Sequence, residues 1–172
     1  MTFEEFVSVQ LPALTRYARV LTGDRQDAHD VLADALIVAH LRWRRISKMD
    51  YPAAYVRRIV TSTFLSRKRR WSARNVKLTA TGDLPERAGA DATAQIDDQN
   101  QLHGLLAQLP DRQRAALVLR YFLDLSDQQT ADELGCTRST VRSLVARGLA
   151  SLRIANANPQ DTTRASTGKD AP

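Results

Sequence analysis

Apolar residues recur at every third or fourth position along two blocks of this chain, and no other feature constrains its fold as strongly. This period predicts amphipathic helices in both blocks. Between about Val76 and Asp98 the period is lost, and glycine, proline and acidic residues take its place, which is typical of a linker. We therefore predict an all-α chain of two small helical domains joined by a flexible acidic linker. The predicted boundaries are 1–75 for the first domain, 76–98 for the linker, 99–155 for the second domain and 156–172 for a disordered tail.

Local signals mark the ends of several predicted helices. Thr2 and Glu5 have the spacing of a capping box, in which each side chain accepts a bond from the other residue's free amide. Gly23 suits a helix C-terminus, and Pro52 suits the first position of a helix. The predicted helices span about 3–22, 25–43, 52–71, 96–108, 111–123, 127–134 and 138–152.

Composition excludes several classes of protein. The 172 residues include 7 Gly, 6 Pro and only 6% aromatic residues, which disfavours a turn-rich β-sandwich or barrel. Cys136 is the single cysteine, so neither an intramolecular disulfide nor a multi-cysteine metal site can form. The three histidines lack ligand spacing, and we predict no metal and no cofactor. The N-terminus does not resemble a signal peptide and no apolar run approaches about 18 residues, which predicts a cytoplasmic protein without membrane insertion.

The positive charge of the chain is concentrated in its first block. The net charge is +6, and residues 1–74 alone carry 14 Lys and Arg against 7 Asp and Glu. Such an excess indicates a polyanionic partner, either a nucleic acid or an anionic membrane. Charge by itself does not distinguish between these two partners.

The strongest local motif predicts a helix-turn-helix at 126–152. Ser126 suits the start of a short helix, Gly135 suits the turn and Thr137 suits the start of a second helix. The apolar residues of that second helix share one face, so its polar residues point away from the core and could enter a DNA major groove. An ordinary surface helix with solvated arginines is the alternative. The candidate DNA-binding residues are Thr137, Arg138, Ser139, Thr140, Arg142, Ser143 and Arg147.

Three carboxylates line one side of the second predicted helix, because Asp27, Asp30 and Asp34 lie three and four residues apart. No cation follows Asp34 at the i+4 position, where Val38 stands. With no second carboxylate cluster to oppose them, a metal or acid–base site is disfavoured. Two interpretations remain, a solvated helix face and a docking surface for a basic partner.

Cations and aromatic rings are interleaved from residue 42 to residue 71. This pattern suits single-stranded nucleic acid, whose bases stack on rings while cations hold the phosphates. The alternative is that the rings belong to the core and only the cations are exposed. The rings are Trp43, Tyr51, Tyr55 and Trp71.

Three stretches in this order resemble the bacterial sigma factors of the extracytoplasmic function type, in their minimal two-domain form. They are Leu21-Thr-Gly-Asp-Arg-Gln-Asp-Ala-His-Asp, Pro52-Ala-Ala-Tyr-Val-Arg-Arg, and Leu109-Pro-Asp-Arg-Gln-Arg-Ala-Ala-Leu-Val-Leu-Arg-Tyr. The resemblance covers roughly residues 3–153. Two positions depart from the family pattern, since His29 stands where an acidic residue is common and Ser62 where many members have asparagine.

The resemblance implies a transcription initiation subunit without catalytic activity, whose partners are core RNA polymerase, promoter DNA and an anti-sigma factor or other regulator. It implies that the acidic linker threads through the polymerase towards the RNA exit path. The helix from Arg138 would read the −35 element as a duplex. Residues implied in polymerase binding are Asp30, Asp34 and Ile37. Residues implied in melting and binding the −10 element, as a single strand, are Arg45, Ser47, Lys48, Tyr51, Arg57, Arg58, Ser62 and Arg67.

Two other classes of protein share parts of this pattern. A stand-alone helix-turn-helix regulator would bind duplex DNA without polymerase and use its first block to dimerise or sense a ligand. A recombinase-like enzyme would need a nucleophile or a metal cluster among supporting charges, and the sequence offers none.

Overall fold

The computed structural model describes the backbone of residues 1–78 and 97–157 and the side chains of 1–67 and 101–155. Within these ranges the chain contains helices and no strand, which confirms the predicted all-α class. No helix there is both long and apolar enough to span a bilayer. The helices are α1 (Phe3–Thr22), α2 (Arg25–Leu41), α3 (Trp43–Ile46), α4 (Pro52–Leu78), α5 (Asp97–Ala107), α6 (Asp111–Leu117), a π-helix (Val118–Phe122), α7 (Asp127–Leu134) and α8 (Arg138–Ala157).

The first two helices begin and end where the local signals predict. Thr2 Oγ1 accepts a bond from the Glu5 amide at 3.2 Å, and Glu5 Oε2 accepts one from the Thr2 amide at 2.7 Å. Gly23 ends α1 in the left-handed conformation. Asp24 then caps α2, because its Oδ1 accepts from the Asp27 amide at 2.8 Å. These caps satisfy amide groups that have no partner inside the helices.

The helix predicted at 25–43 is in fact two helices. α2 ends at Leu41 and α3 begins at Trp43. The Trp43 ring packs against Phe3 and Phe6, with centroid separations of 5.4 and 4.8 Å. The turn after α2 directs the indole towards α1, and burial of its large apolar surface stabilises the break. Trp43 is therefore half-buried against the core.

Helix α4 is longer than the sequence predicts. It continues to Leu78, past the expected end near residue 71 and into the predicted linker, because residues 72–78 contain neither glycine nor proline to stop it. At the other end of the chain, α8 continues to Ala157, five residues beyond its predicted end. The rest of the predicted linker, 79–96, and residues 158–172 of the predicted tail lie outside the described residues.

Helix α6 is shorter than predicted, because it ends at Leu117 rather than six residues later. Val118–Phe122 instead form a π-helix, in which the Leu123 amide donates to the Val118 carbonyl at 3.2 Å. Within it, the Arg120 guanidinium donates to the Leu125 carbonyl. Such wide turns persist where surrounding contacts hold them. Apolar spacing alone does not reveal this change of helix type.

The two blocks pack directly against each other. Helix α4 contacts both α6 and α7, and one cluster of buried apolar residues extends from Phe6 in α1 to Leu134 in α7. The sequence predicts two domains connected only through a linker, so this contact between them is a new finding. Its polar groups include Arg57 of the predicted −10 set, which pairs with Glu133 of α7.

Candidate nucleic-acid interface

The predicted helix-turn-helix is formed by α7 and α8, and its turn follows from three caps. The Ser126 hydroxyl accepts from the Gln129 amide at 3.2 Å, and the Gln129 side chain accepts from the Ser126 amide at 2.9 Å. Gly135 ends α7 with φ +61°. The Thr137 hydroxyl then caps α8 by accepting from the Thr140 amide at 3.2 Å. A turn of three residues, 135–137, therefore joins α7 to α8.

One face of α8 is fixed tightly to the rest of its domain. Val141 is fully buried, and Ala131 of α7 is small enough to allow the close crossing. A Cβ placed at Gly148 would lie 2.8 Å from Leu117 Cδ1 on α6, closer than packed carbon atoms approach. A larger residue there would require the Leu117 side chain to move, so the close approach of α8 to α6 depends on Gly148.

The left-handed conformation of Gly135 leads to a prediction for stability. Gly135→Ala is expected to lower the free energy of unfolding by about 1–2 kcal/mol, because a Cβ in the left-handed conformation meets the chain's own carbonyl oxygen. No neighbouring atom lies within 4 Å of that Cβ, so the cost comes from the backbone alone. Urea denaturation measures the change.

Gly104→Ala is the matched control, because Gly104 lies within α5 and its Cβ would also meet open space. Replacing a helical glycine there should raise the free energy of unfolding by up to about 1 kcal/mol. Equal effects of the two substitutions would contradict the assignment of Gly135 to the turn.

The opposite face of α8 is exposed and positively charged. The hydroxyls of Thr137 and Thr140 lie 2.9 Å apart and bond to each other, so both are partly engaged inside the protein. The other predicted residues on this face are all exposed: Arg138, Ser139, Arg142, Ser143 and Arg147. A convex helix with guanidinium and hydroxyl groups along it matches what a major groove can accept.

Arg142 is tied to the start of α7 by Asp127. Arg142 Nε lies 3.0 Å from Asp127 Oδ2, and Arg120 Nε lies 3.0 Å from Asp127 Oδ1. The Arg142 side chain is nevertheless 70% exposed, so its guanidinium remains accessible to a ligand. The shared carboxylate limits the directions in which Arg142 can point.

A second basic surface lies on the first block, around α3 and the loop that follows it. Arg45, Ser47 and Lys48 are exposed there. Tyr51 is 77% exposed immediately before α4, so among the rings of the interleaved set whose side chains the structure describes it is the one open to stacking. Tyr55 is half-buried, and Trp71 lies outside the side chains that the structure describes.

A groove between α2 and α4 brings together two of the predicted sets. Arg58 and Ser62 of the −10 set line it beside Asp34 and Ile37 of the polymerase set. Ile37 is 60% exposed. Arg58 and Ser62 lie more than twenty positions after Asp34 and Ile37 in the sequence. The packing of α2 on α4 places the two pairs around one opening.

Arg67 of the predicted −10 set is paired in this structure with the acidic face of α2. Its Nη2 lies 3.3 Å from Asp30 Oδ2, and its Nη1 lies 3.9 Å from Asp34 Oδ2. The two carboxylates therefore do have a cationic partner, which comes from α4 and not from their own helix. Because all three side chains are more than a third exposed, the pairs contribute little to stability.

Arg57 is also engaged, and its partner belongs to the other domain. Arg57 Nε donates to Glu133 Oε1 at 2.7 Å, and Arg57 Nη2 donates to the same oxygen. Thr61, one turn further along α4, lies with its Oγ1 3.5 Å from Glu133 Oε2. This arrangement covers one part of the predicted −10 surface with α7.

Arg114 is a structural residue whose role could not be predicted from the sequence. Its side chain is only 1% exposed. The guanidinium donates to the carbonyls of Thr22 and Leu21 at 3.0 and 3.3 Å, and to those of Ala107 and Leu109 at 2.7 and 3.3 Å. It joins the end of α1 to the α5–α6 connection. Arginines in helices are usually exposed to solvent, so nothing in the sequence marks Arg114 as buried.

Among the described side chains, no group of three His, Cys, Asp or Glu residues is placed to hold a metal ion. The acidic face of α2 in particular is faced by the Arg67 guanidinium.

Two family models match the chain, and they fall on the two blocks. Sigma-70 region 2 matches residues 6–74, and Sigma-70, region 4 matches residues 99–152. The first contains the basic surface and the groove between α2 and α4, and the second contains the helix-turn-helix.

Curated relatives match across both blocks. The RNA polymerase sigma-E factor of Streptomyces coelicolor is 39% identical over 153 residues, which cover 89% of this chain and 85% of that protein. The ECF RNA polymerase sigma factor SigM of Mycobacterium tuberculosis is 36% identical over 143 residues, covering 81% of this chain and 69% of that protein.

Solved structures show a similar fold. The sigma factor RpoE from Bartonella quintana, solved in complex with the anti-sigma factor NepR, has a TM-score of 0.72 at 23% identity, covering 92% of this chain and 98% of that chain. CnrH, solved in complex with the cytosolic domain of CnrY, has a TM-score of 0.57 at 22% identity, covering 91% and 88%. With both family models in order and relatives of this identity across most of the chain, the protein belongs to the sigma-70 family, among its extracytoplasmic function (ECF) RNA polymerase sigma factors.

Proposed function

We propose that this ECF sigma factor binds core RNA polymerase and directs it to promoters through separate surfaces on its two domains, bounded at about 1–75 and 99–155. The observation that carries the proposal is the exposed cationic face of α8, held outward by a helix-turn-helix whose other face is core. In this function α8 reads the −35 element. Its seven candidate residues are Thr137, Arg138, Ser139, Thr140, Arg142, Ser143 and Arg147.

The proposed polymerase surface lies on α2. Asp30 and Asp34 supply negative charge, and Ile37 and Leu41, which are 60% and 79% exposed, supply an apolar contact on the same helix. An apolar centre with charges beside it is the usual composition of a protein–protein interface. A basic and apolar helix of the polymerase would complement this surface.

The proposed −10 surface comprises α3, the following loop and the start of α4. Exposed cations there attract the phosphates, while Tyr51 offers a ring on which an unpaired base can stack. Stacking favours the melted strand over the duplex, where the bases already stack on each other. The proposed contacts are Arg45, Ser47, Lys48, Tyr51, Arg57, Arg58, Ser62 and Arg67, with Arg57 and Arg67 exchanging their present carboxylate partners for phosphates.

The proposal extends to three further points. The chain acts in the cytoplasm and catalyses no reaction itself, because polymerase supplies the chemistry of RNA synthesis. Its acidic 76–98 segment passes through the polymerase towards the RNA exit path. An anti-sigma factor or comparable regulator controls it, as the complexes of RpoE with NepR and of CnrH with CnrY suggest by analogy.

Transcription with purified components tests the proposed function. The chain is mixed with core polymerase and a library of promoter fragments, and specifically initiated transcripts are expected only when both proteins are present. A stand-alone regulator would behave differently, since it would protect an operator from nuclease without polymerase. Operator binding alone, with no initiated transcript, would overturn the proposal.

A further inference from the structure

Asp127, the first residue of α7, joins arginines from two other elements. Its Oδ1 lies 3.0 Å from Arg120 Nε on the π-helix, and its Oδ2 lies 3.0 Å from Arg142 Nε on α8. The carboxylate and Arg120 are mostly buried, at 28% and 30% exposed, whereas Arg142 is mostly exposed. Because both carboxylate oxygens are bonded, a rotation of the carboxylate would weaken one of the two ion pairs.

The inner arginine, Arg120, is fixed by the loop before α7. Its guanidinium also donates to the Leu125 carbonyl, and the Leu125 amide donates to the Leu119 carbonyl at 3.1 Å. Asp124, in the same loop, has φ +50°, an uncommon conformation that persists where surrounding contacts hold it. The π-helix, the loop and the start of α7 are therefore bonded to one another, and Asp127 is held within this unit.

This network strengthens an ion pair that would be weak by itself. An isolated exposed pair gains little, because the entropy lost in ordering two flexible side chains offsets the attraction. Here Arg120 already orders Asp127, so pairing with Arg142 orders only one further side chain. A DNA duplex lying on α8 would also exclude water from the pair, and the attraction between the charges increases as water is removed.

The ion pair leaves one edge of the Arg142 guanidinium for a ligand. The carboxylate accepts from Nε, so the two terminal nitrogens remain. Guanine presents two acceptors, O6 and N7, which two parallel guanidinium donors can bond at once. Arg138 and Arg147 lie on the same face, but among the described side chains neither has a carboxylate within ion-pair distance. The structure thus restrains one of the three arginines on this face.

We propose that Asp127 is a positioning residue for promoter recognition, which holds the Arg142 guanidinium with its terminal nitrogens towards a guanine of the −35 element. Arg120 holds Asp127 in turn. This inference rests on the proposed function, which assigns α8 to the −35 element. Asp127 and Arg120 lie outside the predicted DNA-binding set, and they act on the choice of base through Arg142.

Transcription by the reconstituted holoenzyme tests the inference. The probes are promoter fragments that carry each of the four bases at each position of the −35 element. Asp127→Asn should lower the preference for guanine about two- to tenfold, the cost of immobilising one flexible side chain. The loss is expected at the position that Arg142→Ala also relaxes, and at no other position. Arg120→Gln should relax the same position.

Asp132→Asn is the matched control. It removes one carboxylate charge from the same helix, at an exposed position where Asp132 Oδ1 accepts from the Gln128 side chain at 2.9 Å. Both substitutions change the attraction for DNA phosphates by one charge, so they differ in the loss of the bond to Arg142. Asp132→Asn should therefore leave the guanine preference unchanged. Thermal denaturation checks that each variant is folded.

A double-mutant cycle shows whether Asp127 acts through Arg142. In a chain that carries Arg142→Ala, the further substitution Asp127→Asn should leave the remaining base preferences unchanged, because the group to be positioned is absent. A carboxylate that contacted a base directly would still affect the preference in that chain.

Three outcomes overturn the inference. They are an unchanged guanine preference in Asp127→Asn, a loss of activity that is equal for all −35 sequences, and a relaxed preference in the chain that already carries Arg142→Ala. In each case, initiated transcripts from the unaltered chain would still support the proposed function. The absence of transcripts from the unaltered chain would overturn the proposed function and this inference together, so the two failures are distinguishable.

Discussion

Arg142→Ala is expected to reduce transcription from promoters that depend on the −35 element by about 5- to 150-fold, the effect of about 1–3 kcal/mol. The residue lies one turn into α8, on the face that packing directs outward, and its side chain is 70% exposed. A guanidinium there can bond both acceptors of a guanine edge in the major groove. The measurement is initiation by the reconstituted holoenzyme across promoters that differ only in the −35 element.

The pattern of the loss distinguishes base recognition from phosphate contact. A base contact predicts that the preference among −35 sequences relaxes at one position. If activity falls equally for all sequences and the salt dependence weakens, Arg142 contacts phosphate and the prediction is wrong. The fold should be unaffected, because the ion pair with Asp127 is exposed on the Arg142 side and such pairs contribute at most about 1 kcal/mol. Thermal denaturation checks this point.

The double substitution Asp30→Asn, Asp34→Asn is expected to weaken capture of core polymerase by about thirtyfold or more, which corresponds to about 2 kcal/mol for charge pairs lost from an interface. Asparagine keeps the size of each side chain and removes only the charge. Lysine is a poorer choice, since it would place a cation against Arg67. Co-elution with core enzyme, followed by titration of labelled protein, measures the effect.

Arg67→Gln is the matched control for that experiment. It removes the same two ion pairs, Arg67 with Asp30 and Arg67 with Asp34, but leaves both carboxylates in place. Capture of polymerase should therefore persist. If Arg67→Gln weakens capture as strongly as the double substitution, the carboxylates act by holding α4 and not by contacting polymerase.

The elements of this fold that could be predicted from sequence are those specified by neighbouring residues. The capping box of Thr2 and Glu5, the stop at Gly23 and the turn at Gly135 all depend on interactions within four residues. For the same reason, α7 has the bounds that its apolar spacing and caps predict. The exposed face of α8 could be predicted from the helical spacing of its apolar residues, which lie on the opposite face.

The features that sequence did not predict depend on partners distant along the chain. The break before Trp43 follows from its packing on Phe3 and Phe6, about forty residues away. Asp30 finds its cation on α4, 37 positions later, and Arg57 finds its carboxylate 76 positions later. Residue types and spacing do not indicate such pairs, because the sequence alone does not distinguish an exposed arginine from a buried one.

The tight approach of α8 to α6 has a consequence for how this sigma factor can evolve. Because a Cβ at residue 148 would lie 2.8 Å from the end of the Leu117 side chain, a larger residue there requires Leu117 to move or α8 to shift away from α6. If α8 reads the −35 element as proposed, the direct route to a new promoter preference is exchange of its outward residues while Gly148 is kept. Duplicated copies of such a factor can diverge in target sequence while the scaffold beneath the reader stays the same.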